Sequence, residues 1–222
     1  MAVVNALEAK NLFKVFGRSP KQAVSRLKAG QSRADVVDAG TAAVIDASFT
    51  VQRGEIFVIM GLSGSGKSTI IRMLNGLLEP TAGEVIVQGQ NVTKASAAEL
   101  RAIRRASVSM VFQHFALLPH RTVIDNAAYA LEVQGIAKPE RLRRAREILE
   151  KVGLGDRADA YPDELSGGMR QRVGLARALT AGTDILLMDE AFSALDPLIR
   201  REMQEQLIEL QQERGRTIIF IT

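Results

Sequence analysis

Nine consecutive residues could do chemistry as a unit: Gly61, Leu62, Ser63, Gly64, Ser65, Gly66, Lys67, Ser68 and Thr69. They fit G-x-x-x-x-G-K-[ST] at every fixed position. Glycines let the backbone turn tightly and aim successive N–H groups into a concave nest, which suits phosphate oxygens. The start of the following helix adds further donors and the positive end of its dipole. Lys67 is placed to reach the β- and γ-phosphates, and the Ser68 hydroxyl to face Mg²⁺. The stretch therefore predicts a nucleoside triphosphate with Mg²⁺.

Two further stretches bear on charge. Ile185 to Met188 are apolar and lead to Asp189 at a strand's C-terminal end, with Glu190 next. The first carboxylate can hold Mg²⁺, directly or through water, and the second can polarise a water for attack on a γ-phosphate. Leu165-Ser166-Gly167-Gly168-Met169-Arg170-Gln171 places a serine and two glycines at a helix start, a second anion site on a different element.

The flanking residues supply what these sites need. Ile56 to Met60 reads as a buried strand before the phosphate loop, and Thr69 to Asn75 as the helix after it. Leu7 to Val15, Val44 to Val51, Glu84 to Gln88, Val108 to Phe112, Asp184 to Met188 and Thr217 to Thr222 read as further strands. Two short helices are expected between Gly17 and Val44, the first capped by Ser19 with Pro20 at its first position, the second capped by Ser32. Ser96 and Glu99 form a capping box for a helix through Arg105. From Thr122 to about Thr180 the period is helical: a helix capped by Thr122, one from Pro139 to near Gly153, and one from Met169 to Thr180. Pro197 opens a last helix, stopped by Gly215. Strands alternating with helices argue for an α/β fold with a largely parallel sheet, interrupted by a helical insertion.

Composition sets bounds. The chain has 222 residues, is 46% hydrophobic and has no cysteine. A full core is possible, and disulfides and thiolate metal sites are excluded. The net charge of +4 is small, and the basic clusters Arg101–Arg105, Arg141–Arg146 and Arg170–Arg172 read as solvated helix faces rather than a nucleic-acid footprint. Met1 to Asn5 do not read as the start of a signal peptide, and no apolar run approaches the ~20 residues of a membrane helix, so any membrane role is expected to come through a partner.

Together these motifs resemble the nucleotide-binding subunit of ABC transporters, whose signature is L-S-G-G-x-x-Q. Gln113 matches the Q-loop, Ser193-Ala194-Leu195-Asp196 the D-loop, and Phe16 the aromatic that stacks on adenine, with core packing at the strand end as the other reading of Phe16. The match extends along the whole chain and is most similar to the ATPase subunit of glycine betaine/proline betaine importers. The segment between Gly17 and Val44, Tyr161-Pro162-Asp163-Glu164-Leu165 and Met188 to Arg200 carry that finer resemblance.

The resemblance implies a P-loop NTPase (RecA-like) core with a mixed, largely parallel sheet, an antiparallel β subdomain and an inserted α-helical subdomain. Residues 1–113 would be core and β subdomain with a helical insertion near 18–43, 114–180 the helical signature subdomain, and 181–222 the remainder of the core. It implies ATP and Mg²⁺ as ligands, with Ser68, Gln113 and Asp189 at the metal and Glu190, Gln113 and Lys67 catalytic. It implies a head-to-tail dimer in which Ser166, Gly167, Gly168 and Gln171 reach the other copy's nucleotide, with Asp196 on the seam. A membrane permease, indirectly a substrate-binding protein, and a cytoplasmic position on the inner membrane face follow on the same ground, with no nucleic acid.

The family places a switch histidine directly after the final strand, where this chain stops at Thr222. His114 and His120 lie near the Q-loop and do not fill that role, so a truncated chain that binds ATP but hydrolyses it poorly is expected. The competing readings are another transport system, a DNA-repair or chromosome-type ABC ATPase, and a non-enzymatic nucleotide-binding fragment. Against the DNA-repair type stand the separation of about 100 residues between loop and signature, the lack of sustained heptads and the absence of cysteine.

Overall fold

A computed structural model describes residues 5–113, 115–192 and 195–222, without the side chains of Gln206, Leu210, Glu213 and Arg214. The expectations placed on residues 1–4, on His114, and on Ser193 and Ala194 of the D-loop lie outside these residues. Two units emerge, one comprising the chain to Glu55 with Ile59–Arg104, the other Ile56–Val58 with Arg105–Thr222.

The first unit is built on β1 (Asn5–Phe16) and β2 (Thr41–Gln52), with α1 (Pro20–Lys28) and a 3-10 turn at Ala34–Val36 between them. After the short β3 (Ile56–Ile59), which belongs mostly to the second unit, come α2 (Lys67–Leu74), β4 (Ala82–Val87), β5 (Gln90–Asn91) and α3 (Ala97–Ala106). The sheet runs β2-β1-β4-β5 and is antiparallel throughout. The period-two pattern of β1 slips between Ala9 and Leu12 around Asn11 (φ 47), and this irregularity allows both Leu12 and Phe13 to be buried. The capping box holds: the Ser96 N–H donates to Glu99 at 2.7 Å and the Glu99 N–H to Ser96 Oγ at 3.3 Å.

The segment between Phe16 and Thr41 forms a small core of its own, with Ala23, Val24 and Leu27 of α1 packed against Phe13, Val15, Val36 and Ala39. Its two ends meet closely. A Cβ on Gly40 would lie 2.4 Å from the Phe16 carbonyl, so only glycine fits there. Two expected caps are corrected. The Ser19 side chain makes no cap, and its N–H instead donates to the Ala39 carbonyl at 3.0 Å, closing the neck. Ser32 is not a helix cap either: the Asp35 carboxylate accepts from the Ser32 N–H and hydroxyl at 2.8 and 2.7 Å, and the second helix is a single 3-10 turn.

The second unit holds the parallel sheet. Its strands are β3, β6 (Val108–Val111), β7 (Ile185–Asp189) and β8 (Thr217–Ile221), in the order β3-β8-β7-β6, with β6, β7 and β8 parallel. All five residues of β7 are buried, as its apolar run requires. The helices are α4 (Val123–Val133), α5 (Lys138–Lys151), α6 (Gly167–Thr180) and α7 (Pro197–Arg214). One core joins Leu131, Leu149, Leu154, Val173 and Leu179 to Leu186, Met188 and Ile218. Thr122 caps α4 and Ser166 caps α6 through side-chain oxygens.

The basic clusters are only partly solvated. Arg143 and Arg144 pair with Glu140 on the surface, but Arg104 donates to the Asn75 and Gly76 carbonyls, and the Nε atoms of Arg170 and Arg172 are buried. Among the described residues, no helix is long and apolar enough to cross a membrane.

Candidate functional site

In the first unit the phosphate loop leads directly into α2. The helix begins at Lys67, two residues earlier than the sequence pattern suggested, and no side chain caps it. A helix start presents backbone N–H groups and the positive end of the dipole, which suits an anion. Gly66 stands at the helix start with φ 96, and a Cβ there would come within 2.3 Å of the Ala43 carbonyl. No other residue fits that position.

Lys67 is 7% exposed, and its Nζ donates to the Gly61 carbonyl at 2.7 Å and the Leu62 carbonyl at 3.1 Å. The cation is therefore held within the ring of the loop. Gly61, Leu62, Ser63, Gly64 and Ser65 are exposed around it, and Ser68 and Thr69 are half-buried in the first turn. This is a cradle of backbone donors around one buried ammonium, and phosphate fits it in charge and in donor type.

The register of β2 places Phe16 at the same end of the unit. Phe16 pairs with Thr41, and Gly66 packs on Ala43, two residues further along that strand, a rise of about 7 Å. Phe16 is 45% exposed, whereas Phe13 and Val15 fill the core, so core packing does not account for Phe16. The Lys14 ammonium lies 5.1 Å from the ring centroid and donates to the Glu79 carbonyl at 2.7 Å. An exposed ring backed by a cation is suited to stacking against a flat base.

In the second unit, β7 delivers Asp189, 1% exposed, at its C-terminal end. Glu190 follows at φ 47, a left-handed conformation uncommon for a residue with a side chain. Gln113, just past β6, donates from Nε2 to Glu190 Oε2 at 2.8 Å. Strands β6 and β7 are neighbours in parallel register, which brings their C-terminal ends together. Among the described residues no group of three or more acidic or histidine side chains could hold a metal by itself. A Mg²⁺ held here would draw on the Asp189 carboxylate and the Gln113 amide, with other oxygens from its ligand.

The signature stretch opens α6. Ser166 is exposed and accepts from the Met169 N–H at 3.2 Å; Gly167 and Gly168 follow at the first turn. Among the described residues a Cβ on Gly167 would meet nothing within 4 Å, while one on Gly168 would lie 3.2 Å from Leu195 Cδ2. Gln171, grouped with these residues by its spacing in the motif, is placed differently. It is 2% exposed, and its Nε2 donates to the Ala191 carbonyl within its own chain. It is thus removed from the surface on which Ser166 lies. Asp196 is exposed and caps α7, accepting from the Leu198 and Ile199 N–H groups at 3.1 Å each. His120 is an exposed loop residue.

Arg177 escaped the sequence reading. Its guanidinium reaches from α6 to the Phe115 and Ala116 carbonyls, two residues and more past Gln113. A lone arginine ten residues after a glycine pair carries no periodic or motif signal, so nothing in the sequence distinguished it from a surface charge.

Comparison with known proteins follows the same lines. A family model described as ABC transporter matches residues 44–193. The glycine betaine/proline betaine transport system ATP-binding protein ProV of Salmonella typhimurium is 57% identical over 97% of this chain and 54% of its own. The glycine betaine transport ATP-binding protein OpuAA of Bacillus subtilis is 55% identical over 97% of this chain and 52% of its own. The chain thus spans about half the length of these curated relatives. Among solved structures, the dimeric post-hydrolysis state of the ATP-binding cassette MJ0796, bound to ADP and Pi, superposes with a TM-score of 0.84 at 31% identity, covering 97% of this chain and 87% of that one.

Proposed function

The chain belongs to the ABC transporter family, and we propose that it is the ATP-binding, ATP-hydrolysing subunit of an importer for glycine betaine, proline betaine or a related quaternary amine. The observation that carries the ATPase reading is the pairing, in one chain, of a phosphate loop around buried Lys67 with a Gln113–Glu190 hydrogen bond at the end of β7. The solute reading is supported by the names and identities of ProV and OpuAA.

Each residue's task follows from its placement. The N–H groups of Gly61–Thr69 and the Lys67 ammonium bind the triphosphate, and Phe16 stacks on adenine. Mg²⁺, when bound, neutralises phosphate charge; Ser68 offers it a hydroxyl and Asp189 a carboxylate, with Gln113 as a further oxygen donor. Glu190 orients water and accepts its proton, and Gln113 fixes the Glu190 carboxylate. Most of the rate enhancement then comes from positioning and from charge already in place.

The exposed Ser166 and the half-buried Gly167 and Gly168 at the start of α6 contact the nucleotide of a second copy, and Asp196 stiffens the seam. That the similar cassette MJ0796 is dimeric supports the pairing of two copies. The subunit works on the cytoplasmic face of the membrane beside a permease, which receives solute from a binding protein. A direct test is uptake of labelled glycine betaine by vesicles carrying this subunit with its permease and binding protein. ATP-driven uptake that Glu190→Gln abolishes is expected. ATP-driven uptake of a different solute, with none of betaine, would contradict the substrate and leave the ATPase reading standing.

A further inference from the structure

Helix α6 touches both loops that hold the Gln113–Glu190 pair. On one side Gln171 donates to the Ala191 carbonyl, next to Glu190, and Gly168 packs on Leu195. On the other side Arg177 donates from Nη1 to the Ala116 carbonyl at 2.6 Å and from Nη2 to the Phe115 carbonyl at 3.0 Å. Phe115 and Ala116 sit at φ 52 and φ 49, two successive left-handed residues with side chains. Such a turn persists only where its surroundings hold it. The Arg170 guanidinium lies 5.7 Å from the Phe115 ring centroid and adds a second contact from the same helix. Burial pulls the Arg177 pKa below the usual guanidinium range.

The two donors of one planar fork thus bind the two carbonyls of one strained turn. Lysine could not do the same, since it offers a point charge without fixed donor directions. The turn begins two residues after Gln113, and Gln113 is the residue that holds Glu190. We propose that Arg177 is a positioning residue for Gln113: by clamping the Phe115–Ala116 turn it sets the Gln113 amide against Glu190, and so ties the attitude of the signature helix to the readiness of the hydrolytic carboxylate. This rests on the ATPase reading above. It adds that the helix meeting the second copy's nucleotide also fixes the geometry of its own chain's Gln113.

The test is a cycle in the full-length subunit: wild type, Arg177→Lys, Arg177→Gln, Gln113→Ala and each Arg177 variant combined with Gln113→Ala. ATP hydrolysis, ATP affinity and thermal unfolding are measured for each, with the Gln113 side-chain amide followed by NMR. Arg177→Lys and Arg177→Gln should lower kcat about tenfold or more, shift the Gln113 amide signal, and leave ATP affinity within about twofold. In the Gln113→Ala background neither should lower kcat further. Equal losses in both backgrounds would overturn the proposal, as would an unmoved Gln113 signal or loss of fold in both Arg177 variants. If Gln113→Ala itself leaves kcat unchanged, the proposal fails while the ATPase reading stands. A wild-type subunit without ATPase activity would sink the reading itself.

Discussion

Gln113 and Glu190 are 77 residues apart in the chain and joined by one 2.8 Å hydrogen bond, amide nitrogen to carboxylate oxygen. The bond orients the Glu190 carboxylate, which the proposed function assigns to act on water. Glu190→Gln should therefore lower single-turnover ATP hydrolysis by about 100-fold or more, the range expected for loss of a positioned base. ATP binding should persist, because the phosphate loop is untouched. Retained hydrolysis would remove Glu190 from the mechanism.

Phe16 is already half-exposed, so truncating it should cost the fold little. Phe16→Ala is expected to change stability by less than about 0.5 kcal/mol. It should weaken ATP binding by about 1 kcal/mol, roughly fivefold, through loss of stacking. Phe16→Tyr should restore it. Equilibrium titration with ATP against a triphosphate lacking a base separates stacking from phosphate contacts: only the former should respond.

Gly167 offers a clean separation of fold from partner. A methyl group there meets nothing within 4 Å among the described residues outside its own helix backbone. Gly167→Ala should leave the melting temperature unchanged or raise it, since alanine restricts the unfolded chain. ATP-dependent dimerisation, read by light scattering or sedimentation, should nevertheless fall at least tenfold if a second copy's phosphate approaches that face. Normal dimerisation would place the trans contact elsewhere.

The helical block carries a pH-sensitive tie. Glu132 of α4 accepts from Arg121 at 2.9 and 3.1 Å and lies 3.2 Å from Arg141. The Arg121 hydrogen bonds, chiefly, hold its pKa below the ordinary 4.5. A carboxylate with a depressed folded pKa stabilises fully above its unfolded value and loses that contribution as pH falls through the folded one. Glu132→Gln should accordingly lower the melting temperature at pH 7. The gap to wild type should close as pH drops below about 4.5, and should narrow in high salt because the pair is partly solvated.

Where a motif coincided with an element boundary, the sequence was informative. The G-x-x-x-x-G-K-[ST] run, the apolar stretch before Asp189 and the caps at Thr122 and Ser96 all express local rules, and the structure places them as those rules require. Ser166, read from the sequence as part of an anion site, also caps α6. Long-range partners were not legible. Nothing local predicts that Arg177 reaches the Phe115 and Ala116 carbonyls, or that Gln171 turns inward while Ser166 faces out. The two misjudged caps, Ser19 and Ser32, failed for a related reason. In so short an insertion the Ser19 N–H is used to close the neck, and the Ser32 hydroxyl donates to the Asp35 carboxylate rather than accepting from a helix N–H. Strand β5, at two residues, is too short to carry a period.

The central claim is that the loop around Lys67 binds ATP. Its most direct test is the equilibrium affinity for MgATP of Lys67→Ala against wild type, measured by calorimetry with thermal unfolding as the control. The Lys67 ammonium supplies the one cation held inside the loop, bound to the Gly61 and Leu62 carbonyls. Its removal should weaken binding at least tenfold, about 1.4 kcal/mol or more, while the folded state persists. A folded Lys67→Ala protein with unchanged affinity for MgATP would contradict the account.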